Sequence, residues 1–86
     1  MSEAAPRAGH SVVMYSRRAC GLCDEARAVI LAERERTAFA FREVFIEGDH
    51  ALERAHGLRV PVVEIDGEER FETAVDPGSF ASQVRP

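Results

Sequence analysis

Apolar residues change along the chain from a strand-like to a helix-like spacing. The segment Ser11–Tyr15 is short, apolar and rich in β-branched residues, which predicts a buried strand. From Cys20 the spacing is helical, and one face of the predicted helix carries apolar residues at positions i, i+4, i+7 and i+8: Leu22, Ala26, Val29 and Ile30. Cys23 falls on the same apolar stripe. We expect this helix to end near Arg36–Thr37.

A second strand and a short helix are predicted next. Phe39–Ile46 is aromatic and β-branched with partial alternation, which is typical of a strand. Gly48 breaks this pattern, and Asp49 can cap a helix that runs from about His50 to Ala55. We expect Gly57 at the C′ position, where helices commonly end with a left-handed glycine.

The last third of the chain predicts a hairpin and a final helix. Val60–Ile65 is a third predicted strand, beginning near a proline, and Asp66-Gly67 before Glu68–Thr73 is a strong hairpin signal. Asp76-Pro77 opens a final helix because proline suits the first helical position. The order β-α-β-α-β-β-α predicts an α/β fold.

Length and composition limit the organisation of the chain. A length of 86 residues with 45% hydrophobic residues predicts one globular domain. We expect residues 1–9, which are polar and contain Pro6 and Gly9, to form a flexible N-terminus ahead of a domain over residues 10–86. No apolar run approaches the roughly 20 residues of a membrane span, and Met1–Gly9 lacks a signal pattern. These features predict a cytoplasmic protein with no membrane partner.

The charge of the chain excludes further classes. The formal net charge is −4, which argues against a nucleic-acid partner because phosphate binding favours a basic surface. All 11 basic residues are arginine, so lysine-dependent Schiff-base chemistry is excluded. The histidines are scattered, and their spacing predicts no metal site: His10, His50 and His56.

The two cysteines form a Cys-x-x-Cys motif between a predicted strand and a predicted helix. Cys20 is expected at the N-terminal edge of that helix, where unpaired N–H groups and the helix dipole stabilise a thiolate. Arg17 and Arg18 can add positive charge there. Cys23 lies one turn further on, close enough to form a disulfide but on the apolar stripe. This asymmetry suits a nucleophilic and a resolving thiol. The alternative is two ordinary buried cysteines, but a pair at a strand-to-helix junction favours the redox interpretation.

Two segments, Val13–Cys23 and Arg59–Val63, resemble a glutaredoxin-like protein of the thioredoxin superfamily. The similarity is greatest to a short bacterial group whose first helix begins Cys-x-Leu-Cys-Asp-Glu-Ala, and it extends from Ser11 to about Val84. The resemblance implies a thioredoxin-like fold with a four-stranded mixed sheet flanked by helices. In that fold the first two strands are parallel and the last two form an antiparallel hairpin.

The resemblance also implies a substrate-binding proline, and three further residues are candidates from their own chemistry. Pro61 falls on the family's cis-proline position, which leaves the backbone of Val60 free to pair with a thiol substrate. Arg59 and Arg17 are further candidates for substrate binding. Arg59 could bind the carboxylate of a thiol through its bidentate guanidinium, and the alternative is that this side chain is merely solvated. Asp24 is a candidate for proton transfer, although its place in the first helical turn has the alternative explanation of dipole complementarity.

Two departures from the glutaredoxin pattern leave open which small thiol the protein would use. Gly21-Leu22 stands where glutaredoxins usually carry Pro-Tyr, and Glu72–Asp76 stands where many carry a Gly-Gly pair that approaches glutathione. The Cβ groups of Ala74 and Val75 and the charge of Asp76 are expected to weaken glutathione use.

The sequence therefore predicts a monomeric dithiol–disulfide oxidoreductase that reduces protein disulfides or small-thiol mixed disulfides through Cys20 and Cys23. We expect no bound cofactor, with a low-molecular-weight thiol (glutathione, mycothiol or similar) or a protein reductant as co-substrate. One alternative is an iron–sulfur module in which Cys20 of two protomers and two small thiols hold a cluster. Another is an adaptor with a thioredoxin fold and vestigial cysteines.

Overall fold

Within residues 9–86, seven secondary-structure elements form in the predicted order. The computed structural model describes residues 9–86, so the expected flexible N-terminus lies, except for Gly9, outside the described residues. The strands are β1 (His10–Ser16), β2 (Phe39–Phe45), β3 (Val62–Ile65) and β4 (Glu68–Glu72), and the helices are α1 (Gly21–Arg34), α2 (His50–His56) and α3 (Pro77–Val84). No helix within residues 9–86 has the length and apolar character needed to cross a bilayer.

The four strands form one mixed sheet in the order β2-β1-β3-β4. β1 is parallel to β2 and antiparallel to β3, and β3 is antiparallel to β4, as the resemblance implies. Ser16 at the end of β1 pairs with Phe45, and Tyr15 pairs with Val62 at the beginning of β3. The loop after β1 and the beginning of β3 therefore lie at the same end of the sheet.

The main core lies between one face of the sheet and the helices α1 and α3. Buried apolar side chains from all of these elements contribute, among them Val12, Met14, Ile30, Val63, Phe80 and Val84. The stripe prediction is confirmed for Cys23, Ala26 and Ile30, but it is wrong for Leu22, whose side chain is 46% exposed. Residues spaced i, i+3 and i+7 face the sheet, and a rotation of about 100° per residue turns Leu22 away from it.

The helix α2 packs without a buried residue of its own. It is held by the ring of His56, which stacks on Tyr15 with centroids 4.3 Å apart, and by a pair of hydrogen bonds between Arg17 and Glu53. The prediction of a left-handed Gly57 is wrong, because its φ is −52°. A Cβ at Gly57 would lie 2.5 Å from the backbone oxygen of Glu53 and 3.0 Å from Arg17 Nη2, so close approach explains this glycine.

The hairpin turn and the cap of α2 form at the residues that the sequence predicts. Asp66 and Gly67 have φ values of 54° and 85°, the two positive angles of a two-residue hairpin turn. Asp66 is further held by His10 Nδ1 at 2.6 Å and by the backbone N–H of Ser11 at 2.9 Å. At the start of α2, the Asp49 carboxylate accepts a hydrogen bond from the N–H of Leu52 at 3.1 Å, as the cap prediction requires.

A buried carboxylate joins the end of α1 to the segment after α3. The side chain of Glu33 is 5% exposed and accepts hydrogen bonds from Arg85 Nε at 3.0 Å, Thr37 Oγ1 at 2.6 Å and Arg36 Nε at 3.1 Å. These donors favour the ionised carboxylate, Arg85 most strongly, and they lower the pKa of Glu33 to about 2.

We predict a large difference in stability between two neighbouring substitutions in α1. Ile30 is fully buried, whereas Leu31 is 42% exposed. Ile30→Ala should lower the free energy of unfolding by about 2–5 kcal/mol because it leaves a cavity, and Leu31→Ala should cost well under 2 kcal/mol. Urea unfolding of both reduced variants checks this, and equal losses would contradict the assignment of the core face.

We predict that Glu33 contributes to loss of stability in acid. Its pKa is lower in the folded state, so its stabilising effect is complete above the unfolded pKa near 4.5 and is lost as the pH falls from there towards 2. Urea unfolding from pH 7 to pH 3 should show a shallower decline for Glu33→Gln than for wild type. The control Glu35→Gln removes an equal charge from an exposed position on α1's C-terminal side. Unchanged pH dependence in Glu33→Gln would refute the prediction.

Candidate active site

Cys20 lies at the N-terminus of α1, as the spacing predicts. It is the N-cap residue, with extended backbone angles of −125° and 107°, and its Sγ accepts a hydrogen bond from the N–H of Cys23 at 3.1 Å. Because α1 continues for 14 residues, the first-turn N–H groups and the helix dipole act on this sulfur. A thiolate of Cys20 would therefore be stabilised at this position.

The two cysteines are joined by a disulfide in the structure and differ in exposure. Their Cα atoms are 5.2 Å apart. Cys23 is fully buried on the core side of α1, whereas Cys20 is partly exposed. One sulfur is therefore accessible to another molecule, and the second reaches the first from the protein interior.

Ala19 adopts a left-handed conformation directly before Cys20, with φ of 53°. For a residue with a Cβ this costs about 1–2 kcal/mol, and such strain is found preferentially at functional sites. The turn carries the chain from the end of β1 into the cap of α1. The sequence offers no signal for it, because alanine has no preference for this conformation.

Arg17 does not lie free beside Cys20, contrary to the expectation of added positive charge. Its Nη2 donates to Glu53 Oε1 at 2.5 Å and its Nη1 to Glu53 Oε2 at 3.2 Å. Nη2 also reaches the carbonyl oxygen of Gly57 at 3.3 Å. The guanidinium is 33% exposed and its charge is compensated by Glu53.

Arg18 is paired in a similar way. Its backbone N–H donates to Glu47 Oε2 at 3.0 Å, and its Nη1 lies 3.4 Å from Glu47 Oε1. The guanidinium carbon also lies 4.5 Å from the centre of the Phe45 ring, a cation–π arrangement. Both arginines before Cys20 therefore already have a carboxylate partner.

A polar network extends from the first turn of α1 to the end of β1. Asp24 is 69% exposed and accepts from Arg27 Nη1 at 2.8 Å. Arg27 also forms two hydrogen bonds with Glu43, at 2.8 and 2.6 Å, and Glu43 accepts from the buried Ser16 hydroxyl at 2.6 Å. The hydrogen bonds from Arg27 lower the pKa of Glu43. Sequence reasoning missed this network because Arg27 and Glu43 lie on different elements.

Val60 and Pro61 lie at the sheet edge from which the Cys20 loop emerges. Their peptide bond is cis, the isomer that the resemblance implies, and β3 begins at Val62 instead of Val60. The carbonyl oxygens of Arg59 and Pro61 both accept from the N–H of Thr73, at 3.0 and 2.7 Å. Val60 is partly exposed, and its N–H and C=O take part in none of the loop backbone hydrogen bonds within residues 9–86.

Arg59, the other arginine considered for substrate binding, is also paired. Its Nη1 donates to Glu69 and, at 2.7 Å, to Glu72, and its Nη2 donates to the carbonyl oxygen of Ala55 at 2.9 Å. These contacts join the loop before β3 to β4 and to α2. The structure thus places Arg59 in a cluster of ion pairs with two glutamates.

The segment expected to hinder glutathione has one buried and two exposed residues among Ala74, Val75 and Asp76. Val75 is 8% exposed and its side chain belongs to the core. The Asp76 carboxylate caps α3 by accepting from the N–H of Ser79 at 2.9 Å. Ala74 is exposed.

The histidines do not converge with the cysteines. His10 pairs with Asp66, His56 stacks on Tyr15, and His50 begins α2. Within the described part of the chain, no three histidine, cysteine, aspartate or glutamate side chains group as metal ligands would.

Comparison with known proteins places this geometry in a family. The glutaredoxin-like domain family (DUF836) matches residues 11–84. No curated protein gives a significant match. Among solved structures, the chain is similar to the protein XcR50 from X. campestris, with 38% identity over 84% of this chain and 92% of that one, and a TM-score of 0.68.

Two further solved structures share the fold. Protein Ne2328 from Nitrosomonas europaea is 23% identical over 98% of this chain and 99% of that one, with a TM-score of 0.77. A mutant thioredoxin from Halobacterium salinarum is 24% identical over 87% of this chain and 71% of that one, with a TM-score of 0.65. The glutaredoxin-like thioredoxin fold and the cysteine pair support a redox-related function. The chain belongs to the glutaredoxin-like domain family (DUF836).

Proposed function

We propose that this protein is a dithiol–disulfide oxidoreductase that reduces disulfides through Cys20 and Cys23. The observation that carries the proposal is the asymmetric pair at the start of α1. Cys20 is partly exposed at the helix N-terminus, and Cys23 is buried within disulfide distance of it. The family and the fold support the same chemistry.

The reaction begins with the reduced protein. The Cys20 thiolate attacks one sulfur of a substrate disulfide, forms a mixed disulfide and releases the other sulfur as a thiolate, which takes a proton from water. Cys23 then attacks Cys20 Sγ, so that the Cys20–Cys23 disulfide forms and the second substrate sulfur leaves. The proton from Cys23 neutralises this leaving thiolate. The substrate gains two electrons and the protein loses two.

A second thiol must return the protein to its dithiol form. Two molecules of a low-molecular-weight thiol such as glutathione or mycothiol, or one protein dithiol, would supply the two electrons by the same exchange in reverse and would leave as a disulfide. The partly exposed Val60 supports an extended substrate segment, which would pair with its backbone as an added strand. The candidate for proton transfer is Asp24, whose carboxylate is exposed and bonded to Arg27.

We predict that the two cysteine variants differ in the intermediate they form. Cys23→Ser should retain attack and accumulate a mixed disulfide, because the resolving sulfur is absent. Cys20→Ser should lose disulfide reduction and form no such adduct, because Cys23 is buried. Mass spectrometry after incubation with hydroxyethyl disulfide distinguishes the adducts. Adduct formation on Cys20→Ser alone would reverse the assignment.

We also predict an order of alkylation in the reduced wild-type protein. Iodoacetamide should modify Cys20 first, because only this sulfur is partly exposed at the helix N-terminus. Cys23 should react at the slower rate of local opening. Peptide mass spectrometry over time gives the order, and in denaturant the two rates should become similar. Equal rates in the native protein would contradict the proposed division of roles.

A further inference from the structure

Arg17 and Arg18, which precede Cys20, are each paired with a glutamate that follows β2 along the chain. Glu47 bonds the backbone and the guanidinium of Arg18, and Glu53 binds Arg17 with both carboxylate oxygens. The carbonyl oxygen of Gly57 is a further acceptor for Arg17. Neither guanidinium therefore presents an uncompensated charge to a molecule that approaches Cys20.

Other charges near Cys20 do not restore a cationic site. In the first turn of α1, Asp24 and Glu25 are exposed carboxylates. Arg27, the next arginine along the helix, is bonded to Asp24 and Glu43. The three arginines are thus paired with carboxylates, so the side chains of Arg17, Arg18 and Arg27 offer no uncompensated positive charge to an anionic substrate.

The Arg18–Glu47 pair contributes little to stability by its geometry. Its side chains are 69% and 36% exposed, and the ion-pair distance is 3.4 Å. Ion pairs between exposed side chains contribute little to the free energy of unfolding. The pair nevertheless cancels a positive charge two residues before Cys20, so its main physical effect is on the local potential.

Exposed apolar side chains lie along the chain next to these pairs. Leu58 is fully exposed and follows Gly57, the residue whose carbonyl binds Arg17. Leu22, two residues after Cys20, is 46% exposed. Each leucine could therefore contact a neutral polypeptide segment, and neither contact would require an ion pair to break.

We infer that Glu47 and Glu53 set the charge selectivity of the site by withholding Arg18 and Arg17 from anionic thiols. The part of this inference that names a substrate class rests on the proposed function. That class is neutral or cationic disulfides, in particular those of polypeptide segments, in preference to small thiols that carry several carboxylates. Glu47 and Glu53 would thereby act as specificity-determining residues and not as catalytic ones.

Alkylation of Cys20 tests the local potential without requiring disulfide reduction. Iodoacetate and iodoacetamide are similar in size but differ by one negative charge, and in both reactions the thiolate displaces iodide from carbon. The ratio of the two rates at Cys20 cancels changes in the thiolate fraction. It is measured on the reduced wild type, Glu53→Gln and Glu47→Gln, with the modified residue located by peptide mass spectrometry.

The control variant Glu68→Gln also removes one negative charge, but far from Cys20. Glu68 begins β4 beside the hairpin turn, pairs with Arg70, and lies at the opposite end of the sheet from Cys20. The iodoacetate-to-iodoacetamide ratio should rise roughly two- to fivefold in Glu53→Gln and in Glu47→Gln and stay constant in Glu68→Gln. High salt should reduce these differences. Circular dichroism checks that α2 persists in Glu53→Gln. Glu47 lies outside α2, so Glu47→Gln tests the inference without a substitution in that helix.

Turnover of small disulfides tests the substrate class. Wild type should favour cystamine (cationic) and hydroxyethyl disulfide (neutral) over oxidised glutathione (anionic), and Glu53→Gln should raise the relative kcat/KM for oxidised glutathione by a similar factor. An unchanged alkylation ratio in both variants, or an equal rise in Glu68→Gln, would overturn the inference even if disulfides are reduced. A shifted ratio without turnover of any disulfide would instead support the charge effect and reject the proposed function.

Discussion

The packing of one face of α1 against the sheet is the constraint on which the site depends. Cys23, Ala26 and Ile30 are buried on that face, so the rotation of the helix about its axis is determined by the core. With this rotation Cys20 lies at the open N-terminus of the helix, where its sulfur accepts the N–H of Cys23. The same packing that stabilises the domain therefore separates an accessible sulfur from a shielded one.

Contacts between side chains, and not burial in the core, hold the helix α2 in place. The helix α2 has no buried residue and is attached through Glu53 and His56 to residues at the end of β1. Arg17 thus joins α2 to the segment that leads into Cys20. Because the same contact cancels the charge of Arg17, the attachment of α2 and the electrostatic character of the site are physically linked.

The sequence was informative wherever a feature depends on neighbours along the chain. Asp66-Gly67 predicts its turn because both positions favour positive φ, and Asp49 predicts its cap because its side chain reaches the N–H of Leu52. Predictions that required knowledge of distant residues were less successful. A Cβ at Gly57 would lie 2.5 Å from the backbone oxygen of Glu53 and 3.0 Å from Nη2 of Arg17, which is distant along the chain. The side chain of Val75 is buried in a core that residues distant along the chain help to form.

The sequence by itself determined the order of the elements, the position of Cys20 at a helix start and the burial of Cys23. Hydrophobic periodicity and cap chemistry act over a few residues, which is why they can be read locally. Only the tertiary structure decided which carboxylate each arginine meets. Glu53 and Glu47 lie 36 and 29 residues from Arg17 and Arg18 along the chain. They reach these partners because the parallel pairing of β1 with β2 brings the ends of both strands to one edge of the sheet.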